Sequence, residues 1–133
     1  LARATIEPAM SVSDRRSALA VLALYGCAAD PYRLDKERGA AGVELAPFAM
    51  REECVELRTG ERIGFYFVSA VPVAFNIHYH DANAVIMPIV REHATNESGE
   101  FTADRTQIYC LMWEAGAQPS ILEYRVRLLP RRN

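Results

Sequence analysis

The chain has 133 residues, half of them hydrophobic, with 15 basic and 17 acidic side chains and a net charge of -2. That length allows one domain with a real core, and the hydrophobic share excludes a disordered chain. A near-neutral balance with no basic run beyond Arg131 and Arg132 lacks the dense positive face that phosphate backbones require, so nucleic acid is not an expected partner.

In chain order, residues 1–9 read as an upstream extension, with translation starting at Met10. Arg15 and Arg16 then precede an apolar run from Ser17 to Leu24, which is the pattern of an export signal over residues 10–26. The run is too short to span a bilayer. Leu24, Tyr25, Gly26 and Cys27 resemble the bacterial lipoprotein box, where signal cleavage exposes a cysteine that carries the lipid; Tyr25 departs from the small residue usual there. The resemblance implies a lipid on Cys27, membrane attachment through it, and a place on the periplasmic face of a bacterial membrane or in the periplasm. Residues 27–41 are rich in charge, Gly and Ala without an apolar period, so a tether is expected.

From Gly42 onward, short alternating segments separated by turn residues predict an all-β domain over residues 42–129. The expected form is a single antiparallel β-sandwich of seven or eight strands, followed by a tail at 130–133. Val55 and Leu57 alternate with polar neighbours, and Thr59, Gly60 and Glu61 turn the chain into Ile63, Phe65 and Phe67, which predicts a hairpin. Ser69 to Pro72 reads as a second connection. The next strand sets Val73, Phe75, Ile77 and Tyr79 on one face and Asn76, His78 and His80 on the other. Asp81 to Asn83 is a turn by composition. In the strand from Val85 to Val90, Pro88 cannot donate a ladder hydrogen bond, so an edge or a bulge is expected there. Glu92 to Gly99 reads as a polar loop. A strand from Ile108 to Glu114 follows, then a turn at Gly116 to Pro119. Last comes a strand in which Leu122, Tyr124, Val126 and Leu128 alternate with charged residues.

Gly60, with Phe65, Phe67, Ser69, Pro72, Val73, Phe75, Asn76 and Ile77 after it, resembles the centre of a GOLD-type (Golgi dynamics) β-sandwich. More specifically, the strand Asn76, Ile77, His78, Tyr79, His80 and the strand Tyr109, Cys110, Met112, Trp113 resemble those of small exported bacterial proteins. The similarity covers about residues 42–129 and rests mostly on hydrophobic positions. It implies a sandwich with a binding role; cargo reception, which belongs to the eukaryotic members, is not expected.

His78 and His80 lie on one side of a strand, and so do Cys110 and Met112, because side chains repeat every two residues. If the two strands are neighbours, His78, His80, Cys110 and Met112 form a mixed nitrogen and sulfur site. Thiolate and thioether donors select copper, as Cu(I) or Cu(II), ahead of zinc. Cys54 offers a competing use of Cys110. With Cys27 given to a lipid, Cys54 and Cys110 are the remaining pair, and an oxidising envelope favours their disulfide. The two uses exclude each other at Cys110. A disulfide leaves His78 and His80, with Asp81 or His93, as a borderline site for zinc or Cu(II).

Met87 and Met112 read as core fillers and Trp113 as an aromatic anchor. No Ser or Cys has a recognisable base and orienting partner, and there is no nucleophile elbow or phosphate-binding loop, so an enzyme is not expected. The expected function is an exported, lipid-anchored binding protein with a copper site on the His78 and His80 strand. The alternative is a module for an envelope protein partner, in which the disulfide is structural and the histidines are incidental.

Overall fold

The computed structural model describes residues 28–132. The upstream extension expected at residues 1–9, the signal expected at 10–26 and Cys27, the expected site of the lipid, lie outside the described residues. Within them, alternation of apolar and polar side chains builds six strands: β1 (Arg38–Leu45), β2 (Met50–Leu57), β3 (Arg62–Asp81), β4 (Ala84–Thr102), β5 (Gln107–Ala115) and β6 (Ser120–Leu129). They form one antiparallel, curled sheet in the order β1-β6-β3-β5-β2, with β4 alongside β3. Among the described residues, no helix is long and apolar enough to cross a membrane.

The curl originates in β3. Its first half, Arg62 to Ser69, pairs with β6, and its second half, Val73 to His78, pairs with β5. β4 follows the opposite side of both halves. The handover occurs at Ser69 to Pro72, where proline has no N–H to give and the ladder must break. Two hydroxyls take up the backbone groups freed there. Ser120 Oγ accepts the Val71 N–H at 3.0 Å, Ser69 Oγ donates to the Val71 carbonyl at 2.7 Å, and the two Oγ atoms lie 2.7 Å apart. The bend is thus a satisfied turn inside one strand.

Because β3 bends, the sheet curls, and the core lies on its inner face, where side chains of the β6 half and the β5 half meet. Phe67 meets Phe75 and Trp113 at ring-centroid distances of 4.8 and 5.9 Å, and Trp113 stacks on Tyr124 at 4.6 Å. Val55, Leu57, Ile63, Ile77, Leu111, Leu122 and Val126 complete a fully buried set. At the rim, the Tyr124 hydroxyl accepts a hydrogen bond from Arg51 Nη2 at 2.7 Å and donates to Glu53 at 3.0 Å, and Arg38 reaches Glu53 at 3.4 Å. The buried ring therefore keeps its polar end paired.

Several expectations change. Among the described residues there are six strands rather than seven or eight, because the segments on either side of Pro72 are one bent strand and Glu92 to Gly99 belongs to β4. That stretch looks like a loop in sequence because β4, among the described residues, is bonded on one side only and is largely exposed. The turn at Thr59 to Glu61 does not close a hairpin: β2 pairs with β5, and β3 with β6 and β4. Gly60, at a φ of 82°, instead carries the chain from one half-sheet to the other. Order also begins inside the segment read as a tether. β1 starts at Arg38, Leu34 is buried, and Arg33 bonds Glu61 at 3.1 Å. Met87, read as a core filler, is exposed, and Leu128 also escapes burial at the end of β6.

Candidate functional site

The period of two that buries Phe75, Ile77 and Tyr79 directs Asn76, His78 and His80 to the outer face of β3. Register then decides what meets them. His78 stands opposite Cys110 and Asn76 opposite Met112 on β5; on β2, Cys54 stands opposite Cys110 and Glu52 opposite Met112. Two rungs result across three strands: Cys54, Cys110 and His78 on one, Glu52, Met112 and Asn76 on the next. Directly opposed side chains of an antiparallel pair lie within contact distance.

Three of the four sequence-predicted ligands, His78, Cys110 and Met112, therefore occupy adjacent places. His80 lies two residues further along the same face, its ring centroid 5.4 Å from that of His78. The Cys110 sulfur is engaged, however. Cys54 and Cys110 form a disulfide with Cα atoms 4.0 Å apart, so Cys110 offers no thiolate to a metal in this state. Asp81 and His93 do not join the group. Asp81 lies 3.5 Å from Arg105, and His93 sits on β4 between the partners of Phe75 and Val73.

His78 is only 5% exposed. Its Nδ1–H donates to Asn76 Oδ1 at 2.8 Å, and its Nε2 lies 3.6 Å from Glu52 Oε1. Burial pushes the imidazole below its ordinary pKa, Glu52 opposes that shift, and His80 adds to it. With Nδ1 protonated toward Asn76, the neutral ring turns a lone pair at Nε2 toward a carboxylate that also carries only lone pairs. A cation between them converts that opposition into two bonds. A metal-binding imidazole commonly has its other ring N–H held by a hydrogen-bond acceptor, the place that Asn76 Oδ1 takes here.

The backbone opposite His78 is irregular. Ile77 pairs with Ile89 and Tyr79 with Ile86, so Met87 and Pro88 together face the single residue His78. This is a β-bulge, and β4 is also an edge strand, so Pro88 satisfies both sequence-based expectations. Bulges aim side chains and end ladders, and this one lies beside the imidazole.

Sequence reasoning missed Glu52 and gave Asn76 no role. Glu52 lies two residues before Cys54, so the same alternation that set out the His and Cys-Met pairs would have placed it on the Cys54 face. One carboxylate oxygen of Glu52 and the two sulfurs lie within 4.8 Å of one another.

No family model and no curated protein matches the chain. Among solved structures it is similar to a de novo designed double-stranded β-helix determined by NMR in solution, at 18% identity and a TM-score of 0.37, over 71% of this chain and 99% of that one. At that score the architecture rests on the strand pairing above.

Proposed function

We propose that this chain is an exported, lipid-anchored, non-catalytic binding protein that holds a divalent transition-metal ion on the His78 and His80 strand. The observation that carries the reading is the buried His78, tied through Nδ1 to Asn76 and directed through Nε2 at Glu52. With the Cys110 sulfur in a disulfide, the donors are two imidazoles and a carboxylate. Such a set is borderline in softness and favours Cu(II), the tightest-binding first-row divalent ion, over Zn(II). Met112, opposite both Glu52 and Asn76, stands where a thioether could add a weak fourth contact. We read the two half-sheets as the layers of a GOLD-like sandwich whose outer face bears the site. Cys27 then supplies the membrane attachment through its lipid.

Titration of the purified protein with Cu(II), Zn(II) and Cu(I) tests this, alongside a His78→Ala/His80→Ala variant. One equivalent of Cu(II) bound by the parent and lost in the variant is the expected result. No binding above background in the parent sinks the reading.

A second reading is favoured by the free edge of β4, where Val85, Met87 and Val90 are each about half exposed. In it, an envelope protein adds a strand to this edge and the histidines are incidental. A Val85→Lys/Val90→Lys variant would then lose a site-specific cross-link to that partner while metal binding stayed at background in both proteins.

A further inference from the structure

The disulfide joins two strands that are already paired. Eight consecutive rungs, from Met50 opposite Glu114 to Leu57 opposite Gln107, hold β2 against β5 in unbroken register. Opening the sulfur–sulfur bond therefore does not release the cysteines from one another, because backbone hydrogen bonds on both sides keep them opposed. The same rung ends at His78, and the carboxylate of Glu52 lies within 4.8 Å of both sulfurs. Three donors thus converge, the two sulfurs and one Glu52 oxygen, and the imidazole adjoins them through Glu52, with His78 Nε2 3.6 Å from Glu52 Oε1; a rotation of the His78 ring on its rung would bring it in as the fourth.

We propose that the reduced protein has a second metal state, a four-ligand zinc site made of Cys54, Cys110, His78 and Glu52, and that the disulfide is the lock on it. Zinc takes four donors of these types at about 2.0 to 2.3 Å in tetrahedral array. The proposal shares His78 and Glu52 with the Cu(II) reading but adds two ligands and a different oxidation state of the protein, so the two fail separately.

The opening step requires a dithiol reductant. Its thiolate attacks Cys54 Sγ, since Cys54 is half-buried on the edge strand β2 whereas Cys110 is only 8% exposed. The sulfur–sulfur bond breaks, a mixed disulfide forms at Cys54, and Cys110 leaves as a thiolate that takes up a proton. The second thiol of the reductant then attacks its own sulfur in the mixed disulfide and expels Cys54. Two electrons pass to the protein, the reductant becomes a disulfide, and two protein thiols result. Zinc binding displaces their two protons. Reoxidation reverses the sequence and expels the ion.

The test compares the oxidised full-length protein with the same protein reduced by a phosphine, both titrated with Zn(II) against a chromophoric chelator. Cobalt(II) serves in parallel as a spectroscopic stand-in. The reduced protein is expected to bind one Zn(II) at least on the order of 100-fold more tightly than the oxidised form. Zinc should protect both thiols from alkylation, and cobalt should give thiolate charge-transfer absorption. Glu52→Gln is expected to weaken zinc binding by about 10-fold to 100-fold. Cys54→Ser/Cys110→Ser should abolish it while leaving Cu(II) binding by the histidines in place. Equal zinc affinity in the two redox states, thiols alkylated equally fast with and without zinc, or a reduced chain that loses its β circular dichroism and does not regain it with zinc would each overturn the proposal. Loss of Cu(II) binding by the oxidised protein alone would count only against the earlier reading.

Discussion

The two halves of the sheet treat their outer faces differently. Around β6, that face carries ion pairs whose members, apart from a mostly buried Arg62, are exposed: Arg62 with Glu100, Glu100 with Arg132, and Arg125 with Glu37 and Glu123. Around β5, the corresponding face buries Asn76 and His78 and carries a disulfide. Solvated ion pairs contribute little to stability and tolerate exchange. Buried polar groups are costly unless each is paired, so they persist where geometry or ligand binding requires them. The contrast sets the site proposed above on the β5 half, where the polar groups of the outer face are buried.

The largest expected effect would remove what the two halves share. Trp113→Ala takes away the ring that touches Phe67, Phe75 and Tyr124, and should cost ~3–5 kcal/mol in denaturant unfolding. If that substitution cost less than the changes below, the halves would not share one core.

Next comes the bridge. Removing the Cys54–Cys110 disulfide, whose partners are 56 residues apart, should lower unfolding stability by ~4 kcal/mol in the chain-entropy account. Calorimetry of the Cys54→Ser/Cys110→Ser variant measures this. A midpoint unchanged from the parent would mean that the ladder alone sets the stability.

A smaller pair of substitutions tests the comparison of faces directly. His78→Ala leaves the buried Asn76 carbonyl without its partner and should cost ~1–3 kcal/mol. Arg127→Ala, an exposed position on the β6 half, should stay within ~0.5 kcal/mol of the parent. Equal losses in parallel urea melts would erase the distinction.

The smallest effects are expected in pH profiles. The hydrogen bond from Arg33 holds the Glu61 carboxyl below its ordinary value of 4.5, against a contrary contribution from burial. Its folded pKa is depressed, so its contribution is present above about pH 4.5 and is lost as pH falls through the folded value. Glu61→Gln should flatten that acid limb. Burial and then Asp104 push Tyr109 up from 10.0 to about 12. Its contribution is therefore complete below pH 10 and lost as pH rises toward 12. Tyr109→Phe should weaken the alkaline limb in a plot of midpoint against pH, leaving the part that comes from Tyr124, whose hydroxyl burial also pushes up.

Much of the inner face was legible because strand periodicity is local. Alternation assigns Phe65, Phe67, Phe75, Ile77 and Tyr124 to apolar faces, and each is buried. What alternation does not contain is which strand lies beside which. β2 and β3 are neighbours in sequence and separated in the sheet, so Gly60, a hairpin turn by its local sequence, is a crossing. Pro72 and Pro88 both signal an interrupted ladder. At Pro72 the interruption became a bend within a strand, because the Ser69 and Ser120 hydroxyls were available to cover the freed backbone groups. Ser120 lies 51 residues from Ser69, beyond any local window. The outer face followed the same rule. His78, His80, Cys110 and Met112 were legible as two pairs, whereas the meeting of His78 with Cys110, and of both with Glu52, depends on register between distant strands.

β3 belongs to both half-sheets, and this has a dynamic consequence. A molecule made of two separately hydrogen-bonded layers can open one layer and keep the other. Here the ladders of β5 and β6 are both anchored on one covalent strand, and peeling either strips part of β3. The amides of Phe67 and Ile77, on opposite sides of the bend, should therefore exchange with solvent deuterium through the same global opening, whereas those of the one-sided β4 exchange earlier through local fraying. Pro72 thus marks a change of direction in the chain without dividing its cooperative unit.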